Sequence, residues 1–167
     1  LWLFYFFSYN CEFFSFSDAV IKPAPTPAIP MIVGGRSDAA IRRAALLGDG
    51  WLGVWCSPTR FGAVLNEINE LAAERSSPPA WQHGLQVWTG FGRNDKAAKT
   101  YLATQMEDMY RMPFERFEKY SPFGSPNTVA ELLAPYVEQG CRWLNVKACA
   151  ASEEQSIEAI SEVAGLL

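Results

Sequence analysis

The chain of 167 residues carries a net charge of -4 and scatters its 14 Lys and Arg residues, so it presents no electropositive stripe for nucleic acid. That length suffices for one domain with a sizeable core, but it falls short of the roughly 250 residues of a complete eight-stranded β/α barrel. Four cysteines without CxxC spacing and a single histidine give no metal-ligand pattern, and reduced thiols in a cytoplasmic protein are the expectation.

Residues 1–12 open with Leu-Trp-Leu-Phe-Tyr-Phe-Phe, yet the first basic residue is Lys22 and polar residues from Ser8 onward interrupt the apolar run. A secretory signal wants a positive start and an unbroken apolar core, and a membrane span wants about 20 apolar residues. Neither pattern is present. With no initiating Met, the chain reads as a fragment or an incompletely predicted open reading frame, with residues 1–12 as an aromatic segment foreign to the domain over residues 13–167. Four prolines at Pro23, Pro25, Pro27 and Pro30 predict a stiff, extended arm.

Met31, Ile32 and Val33, bounded by Pro30 and Gly34, read as a buried strand. Gly34 and Gly35 stop it, Ser37 or Asp38 caps a helix over Ala39 to Leu47, and Gly48 ends that helix. Trp51 to Trp55 is the second strand. Ser57-Pro58 opens a helix whose Phe61, Val64, Leu65, Ile68 and Leu71 form a core stripe, and residues 76–79 break it. Leu85 to Phe91 is the third strand. Asp95 is the expected cap of a helix running from Lys96 to about Tyr110, with Tyr101, Met106 and Met109 expected in the core.

Residues 113–120 form an aromatic-rich short helix and loop suited to a lid or a subunit contact. Ser125-Pro126 starts the next helix, which Gly140 ends. Trp143 to Ala148 is the fourth strand, with Trp143, Asn145 and Lys147 on one face and Leu144, Val146 and Ala148 on the other. Ser152 with Gln155 predicts a capping box for the last helix. Strands and helices thus alternate as parallel β/α units with right-handed crossovers.

Two glycines let a backbone approach a ligand closely, and the free amides beside Arg36 and Ser37 are donors for an anion such as a phosphate. The same glycines also serve as plain turn residues, with Asp38 as a plain cap. His83 has two readings, an ordinary residue before the third strand or a proton carrier. Asn145 and Lys147 lie toward the carboxyl end of the fourth strand, either touching a ligand or standing on a solvated rim.

The stretch Val33-Gly34-Gly35-Arg36-Ser37-Asp38-Ala39-Ala40-Ile41-Arg42-Arg43-Ala44-Ala45-Leu46-Leu47-Gly48-Asp49-Gly50-Trp51 resembles the signature region of the luciferase-like monooxygenases. Upstream, Phe13-Phe14-Ser15-Phe16 and Ile21-Lys22-Pro23 resemble the segment that leads into the same strand. Downstream, Tyr120 to Pro126, Val129-Ala130-Glu131 and Tyr136 to Cys141 resemble the last helix and strand of such proteins. The resemblance implies the carboxyl-terminal half of a TIM (β/α)8 barrel, its four strands being the fifth to the eighth.

It further implies an oxidoreductase using FMN or coenzyme F420, with monooxygenation through reduced flavin or hydride transfer through the deazaflavin. By the same resemblance Gly34, Gly35, Arg36 and Ser37 hold the phosphate end, and Trp55 and Cys56 form pocket wall, with Asn145 and Lys147 as further wall residues. Acid/base residues of the family lie largely on the other half of the barrel, so no catalytic residue is named. Arg36 adds a charge where relatives have a small polar residue, and Asn127 and Thr128 replace the acids common after Ser-Pro. The expected partners are a small-molecule substrate and either the remaining barrel half or a second copy. The alternative is a non-catalytic half-barrel that binds a phosphate-bearing ligand or self-associates through its open sheet edges.

Overall fold

The computed structural model of the chain describes residues 7–20, 22, 23, 25–76 and 79–167. Residues 1–6 of the aromatic opening, Ile21, Ala24, and Ser77 and Pro78 of the predicted break lie outside the described residues. Where the sequence predicts no element, two short strands form an antiparallel hairpin, β1 (Phe7–Asn10) and β2 (Ser15–Ala19). Phe16 packs edge-on against Phe7 with ring centroids 5.2 Å apart, and lies 6.0 Å from Tyr9. Cross-strand aromatic pairs of this kind are what give a small, exposed ribbon its register.

Residues 31–167 form a separate compact unit in which strands and helices alternate. Their order is β3 (Ile32–Gly34), α1 (Asp38–Leu47), β4 (Gly50–Val54), α2 (Pro58–Leu71), β5 (Gly84–Phe91), α3 (Asp95–Tyr110), β6 (Phe123–Gly124), α4 (Pro126–Glu138), β7 (Trp143–Cys149) and α5 (Glu153–Leu166). Every pairing in this sheet is parallel: β3 with β4, β4 with β5, and β7 with β5 from Gly84 to Gly90. The two-residue β6, which the sequence does not announce, pairs with Gly90 and Phe91 beyond the point where β4 leaves off.

Side chains sort onto two faces by the period of two. On one face Trp51, Leu85, Val87, Leu144 and Val146 meet Ile41, Phe61, Ile68, Leu133 and Val163 from α1, α2, α4 and α5. Burying each large apolar side chain there is worth about 1.5–3 kcal/mol. On the other face Trp88 and Cys149 lie under Leu102 and Met106 of α3, with Phe114 and Phe117 beside them. This helix therefore covers the carboxyl-terminal part of the face turned away from the other four helices.

Several sequence expectations are corrected. The strand read as buried is half-buried, with Met31 39% exposed, because β3 is an end strand paired with β4 alone among the described residues. Asn94, not Asp95, caps α3, its Oδ1 accepting from the Ala97 amide at 2.9 Å. Met109 is 65% exposed, one step round the helix from the buried Met106. Ser37, Ser57, Ser125 and Ser152 cap their helices as read, each hydroxyl accepting from the amide three residues on. Among the described residues no helix is long and apolar enough to cross a membrane.

Candidate functional site at the carboxyl ends of β3 and β4

β3 delivers Gly34 to the carboxyl end of the sheet, where it is exposed, and a Cβ built there meets nothing within 4 Å. The backbone at Gly34 is therefore open to close approach. Gly35 is different. Its φ of +123° is reserved for glycine, and a Cβ would stand 2.7 Å from the Ala40 Cβ. The turn is tied down from below by the Trp51 indole, whose Nε1 donates to the Gly35 carbonyl at 2.8 Å. Arg36 and Ser37 follow, both exposed; in the first turn of α1 the Ala40 and Ile41 amides donate to Ser37, which leaves those of Asp38 and Ala39 without a partner among the described residues. Asp38 places a carboxylate in that first turn.

The next strand reaches the same rim. Trp55 follows β4 at φ +47°, the left-handed region that a bulky residue adopts only under local constraint, at a cost of about 1–3 kcal/mol. Tyr110 and Phe117 supply the constraint, with ring centroids 5.3 Å and 5.1 Å from Trp55. Cys56 comes next, its carbonyl accepting a 2.6 Å hydrogen bond from the buried Tyr136 hydroxyl. Burial pushes the Cys56 thiol up to about 11, against the opposing pull of Arg36 and Arg60, so it is a neutral wall group rather than a nucleophile.

Arg36, Trp55, Cys56, Ser57, Arg60 and Tyr120 converge on a cleft of about 230 Å³. The sequence reading names the first three of these residues and misses the other three. Arg60 had one available signal: it is a cation in the first turn of a helix, where the macrodipole disfavours it. Asn145 and Lys147 are exposed on β7, on the face opposite Leu144 and Val146, and neither lines this cleft.

His83 stands at the other end of the sheet, directly before Gly84 opens β5. Only 4% exposed, it accepts the Trp51 amide at Nδ1 over 3.1 Å, stacks on Trp81 with centroids 5.1 Å apart, and leaves Nε2 buried without a partner. Burial pushes its pKa down to about 4, so the ring is neutral at physiological pH. Among the described residues no His, Cys, Asp and Glu group is placed to hold a metal ion.

A parallel sheet with helices following its strands, with an exposed glycine at the end of β3 and an arginine-lined cleft at its carboxyl rim, has the architecture of a β/α barrel, a class whose ligand sites gather at that rim. The chain belongs to the luciferase-like monooxygenase family, whose model matches residues 5–142. An uncharacterized protein of Mycobacterium tuberculosis is 36% identical over 75 residues, which are 44% of this chain and 26% of that protein. The fold is similar to an F420-dependent secondary alcohol dehydrogenase in complex with an F420-acetone adduct, with a TM-score of 0.78, 12% identity, and coverage of 99% of this chain and 57% of that one. It is also similar to a riboflavin lyase with modified FMN and substrate riboflavin, with a TM-score of 0.65, 12% identity, and coverage of 97% of this chain and 48% of that one. The chain thus spans about half the length of these solved structures and about a quarter of the curated relative.

Proposed function

We propose that the chain is the carboxyl-terminal barrel half of a cytoplasmic oxidoreductase that uses FMN or coenzyme F420, and that it grips the cofactor's phosphate end. The observation that carries this reading is the Gly34-Gly35 turn at the carboxyl end of β3, exposed at Gly34 and half-buried at Gly35, with the exposed Arg36 directly after it. A phosphate against that turn takes hydrogen bonds from backbone amides and a charge-assisted bond from the Arg36 guanidinium. Gly34 lets the phosphate come to the main chain, Gly35 sets the turn, and Ser37 holds the helix start in place.

When bound, the cofactor supplies the redox chemistry, oxygen activation for a flavin or hydride transfer for the deazaflavin. The chain's own part is to orient it and keep water out, with Trp55 and Cys56 as wall. The edges of β3 and β7 left unpaired among the described residues, and the exposed Asn145 and Lys147, are where the remaining barrel half or a second copy closes the structure. The small-molecule substrate then binds across both halves.

Arg36→Gln separates binding from folding, since the side chain is exposed and forms no ion pair among the described residues. Fluorescence titration of the purified chain with FMN and with F420 is expected to show binding of one or both. The variant should bind about tenfold more weakly, as loss of a charge-assisted hydrogen bond implies. Its thermal midpoint should be unchanged. Equal affinity in the variant and the parent removes Arg36, and with it this placement of the phosphate.

A further inference from the structure

Trp51 is held at both ends. Its amide lies one residue before Leu52 and Gly84, where β4 and β5 begin to pair, and it donates instead to a side chain, the His83 Nδ1 at 3.1 Å. Its indole Nε1 donates to the Gly35 carbonyl at 2.8 Å, and Trp51 lines the same cleft as Arg36. One residue thus joins the amino end of the sheet to the turn at its carboxyl rim. The buried indole has little room to shift between these bonds, because it packs on Phe61 and a Cβ built on Gly53 would stand 3.0 Å from its ring.

His83 is fixed as firmly. Trp81 stacks on it, and the Arg75 guanidinium lies 5.7 Å from the Trp81 ring centroid while it donates to the Ala45 and Gly48 carbonyls. The Arg142 amide donates to the His83 carbonyl at 2.7 Å. With Nδ1 accepting, the hydrogen of the neutral ring sits on Nε2, which is buried without a partner among the described residues. A buried donor left unpaired is unfavourable, so packing alone does not explain an imidazole here, whereas the Trp51 amide does. We propose that His83 is a positioning residue for the ligand turn: through Trp51 it sets the Gly35 carbonyl, and with it the backbone from Gly34 to Ser37, in the conformation that grips an anion. This brace is built before the ligand arrives, so binding leaves His83 itself unmoved. The inference rests on the phosphate placement proposed above and adds what fixes the turn.

The test titrates the full chain with inorganic phosphate at constant pH and follows the backbone amide shifts of Gly34 and Ser37. His83→Phe keeps a ring against Trp81 and removes the acceptor, His83→Asn keeps an acceptor, and Trp51→Phe removes the Gly35 bond at the other end of the brace. Phosphate is expected to bind His83→Phe and Trp51→Phe about fivefold more weakly than the parent, as loss of one hydrogen bond implies, and His83→Asn within about twofold. A histidine that only fills space gives the reverse order, with Phe tolerated and Asn disruptive. Exchange of the Trp51 indole hydrogen with solvent reads the brace without ligand, and it is expected to quicken about fivefold in His83→Phe and to stay unchanged in His83→Asn. Parent affinity in His83→Phe refutes the brace while the phosphate site stands, and so does unchanged indole exchange, which severs the link to Trp51. Should His83→Phe not fold, weaker binding in His83→Asn or parent affinity in Trp51→Phe refutes it equally. If phosphate moves neither amide in the parent, the phosphate placement and the brace fall together.

Discussion

Trp51→Ala is expected to cost about 3–5 kcal/mol of folding stability, a large share of the 5–15 kcal/mol that holds a typical domain together. The indole is 1% exposed, packs on Phe61 with ring centroids 5.4 Å apart, and ties the Gly35 carbonyl to the core through its Nε1. One side chain thus carries both packing and turn geometry. Trp51→Phe separates the two: the ring stays, the hydrogen bond goes, and stability falls by about 1 kcal/mol while the turn loses its tether. Denaturant unfolding measures both variants, and a Trp51→Ala protein within 1 kcal/mol of the parent, on the order of a single hydrogen bond, contradicts this account.

Acid should destabilise the protein through His83. Its pKa is about 4 when folded and 6.5 as a free side chain, so between these values the unfolded chain binds more protons. Stability from the neutral ring is fully present above pH 6.5, declines as the pH falls toward 4, and is lost below it, by up to about 3 kcal/mol. The cause is burial, and the geometry adds to it. Nδ1 must stay unprotonated to accept the Trp51 amide, so a charged ring breaks that bond too. His83→Asn keeps an acceptor near the Nδ1 position and removes the titration. The difference in unfolding free energy between parent and variant should shrink or change sign as the pH falls from 7 to 4 by about the same amount. A constant difference across that range shows that the ring does not titrate with folding.

The β/α repeat was legible because its signals are local. Serine caps, prolines at the first helical position and glycine stops each act within four residues, and α1, α2, α4 and α5 start where those signals stand. The glycine turn was legible for the same reason. Burial of β3 was misjudged because an apolar run does not reveal whether its strand ends the sheet. The position of α3 on the opposite face was hidden as well, since its stripe of Leu102 and Met106 states that something is covered and not which face of the sheet.

The site was half legible. Arg60 lies far along the chain from Arg36, and on an amphipathic helix a lone arginine reads as a solvated residue until the fold sets the two helices side by side. The family resemblance gives Trp55 as wall, whereas its left-handed backbone and aromatic clamp come with Tyr110 and Phe117, which arrive from a later helix and turn. His83 sits before a strand in sequence like any loop residue. Its burial depends on Trp51 and Trp81 meeting around it.

The phosphate grip at the end of β3 is tested most directly by following the backbone amide resonances of the uniformly labelled chain as FMN and then F420 are added. Gly34, Gly35, Arg36 and Ser37 are expected to move first and furthest, in a saturable way, while the amides around His83 at the opposite end of the sheet stay still. Shifts centred on the amino-terminal ends of the strands, with Gly34 to Ser37 unmoved, contradict it.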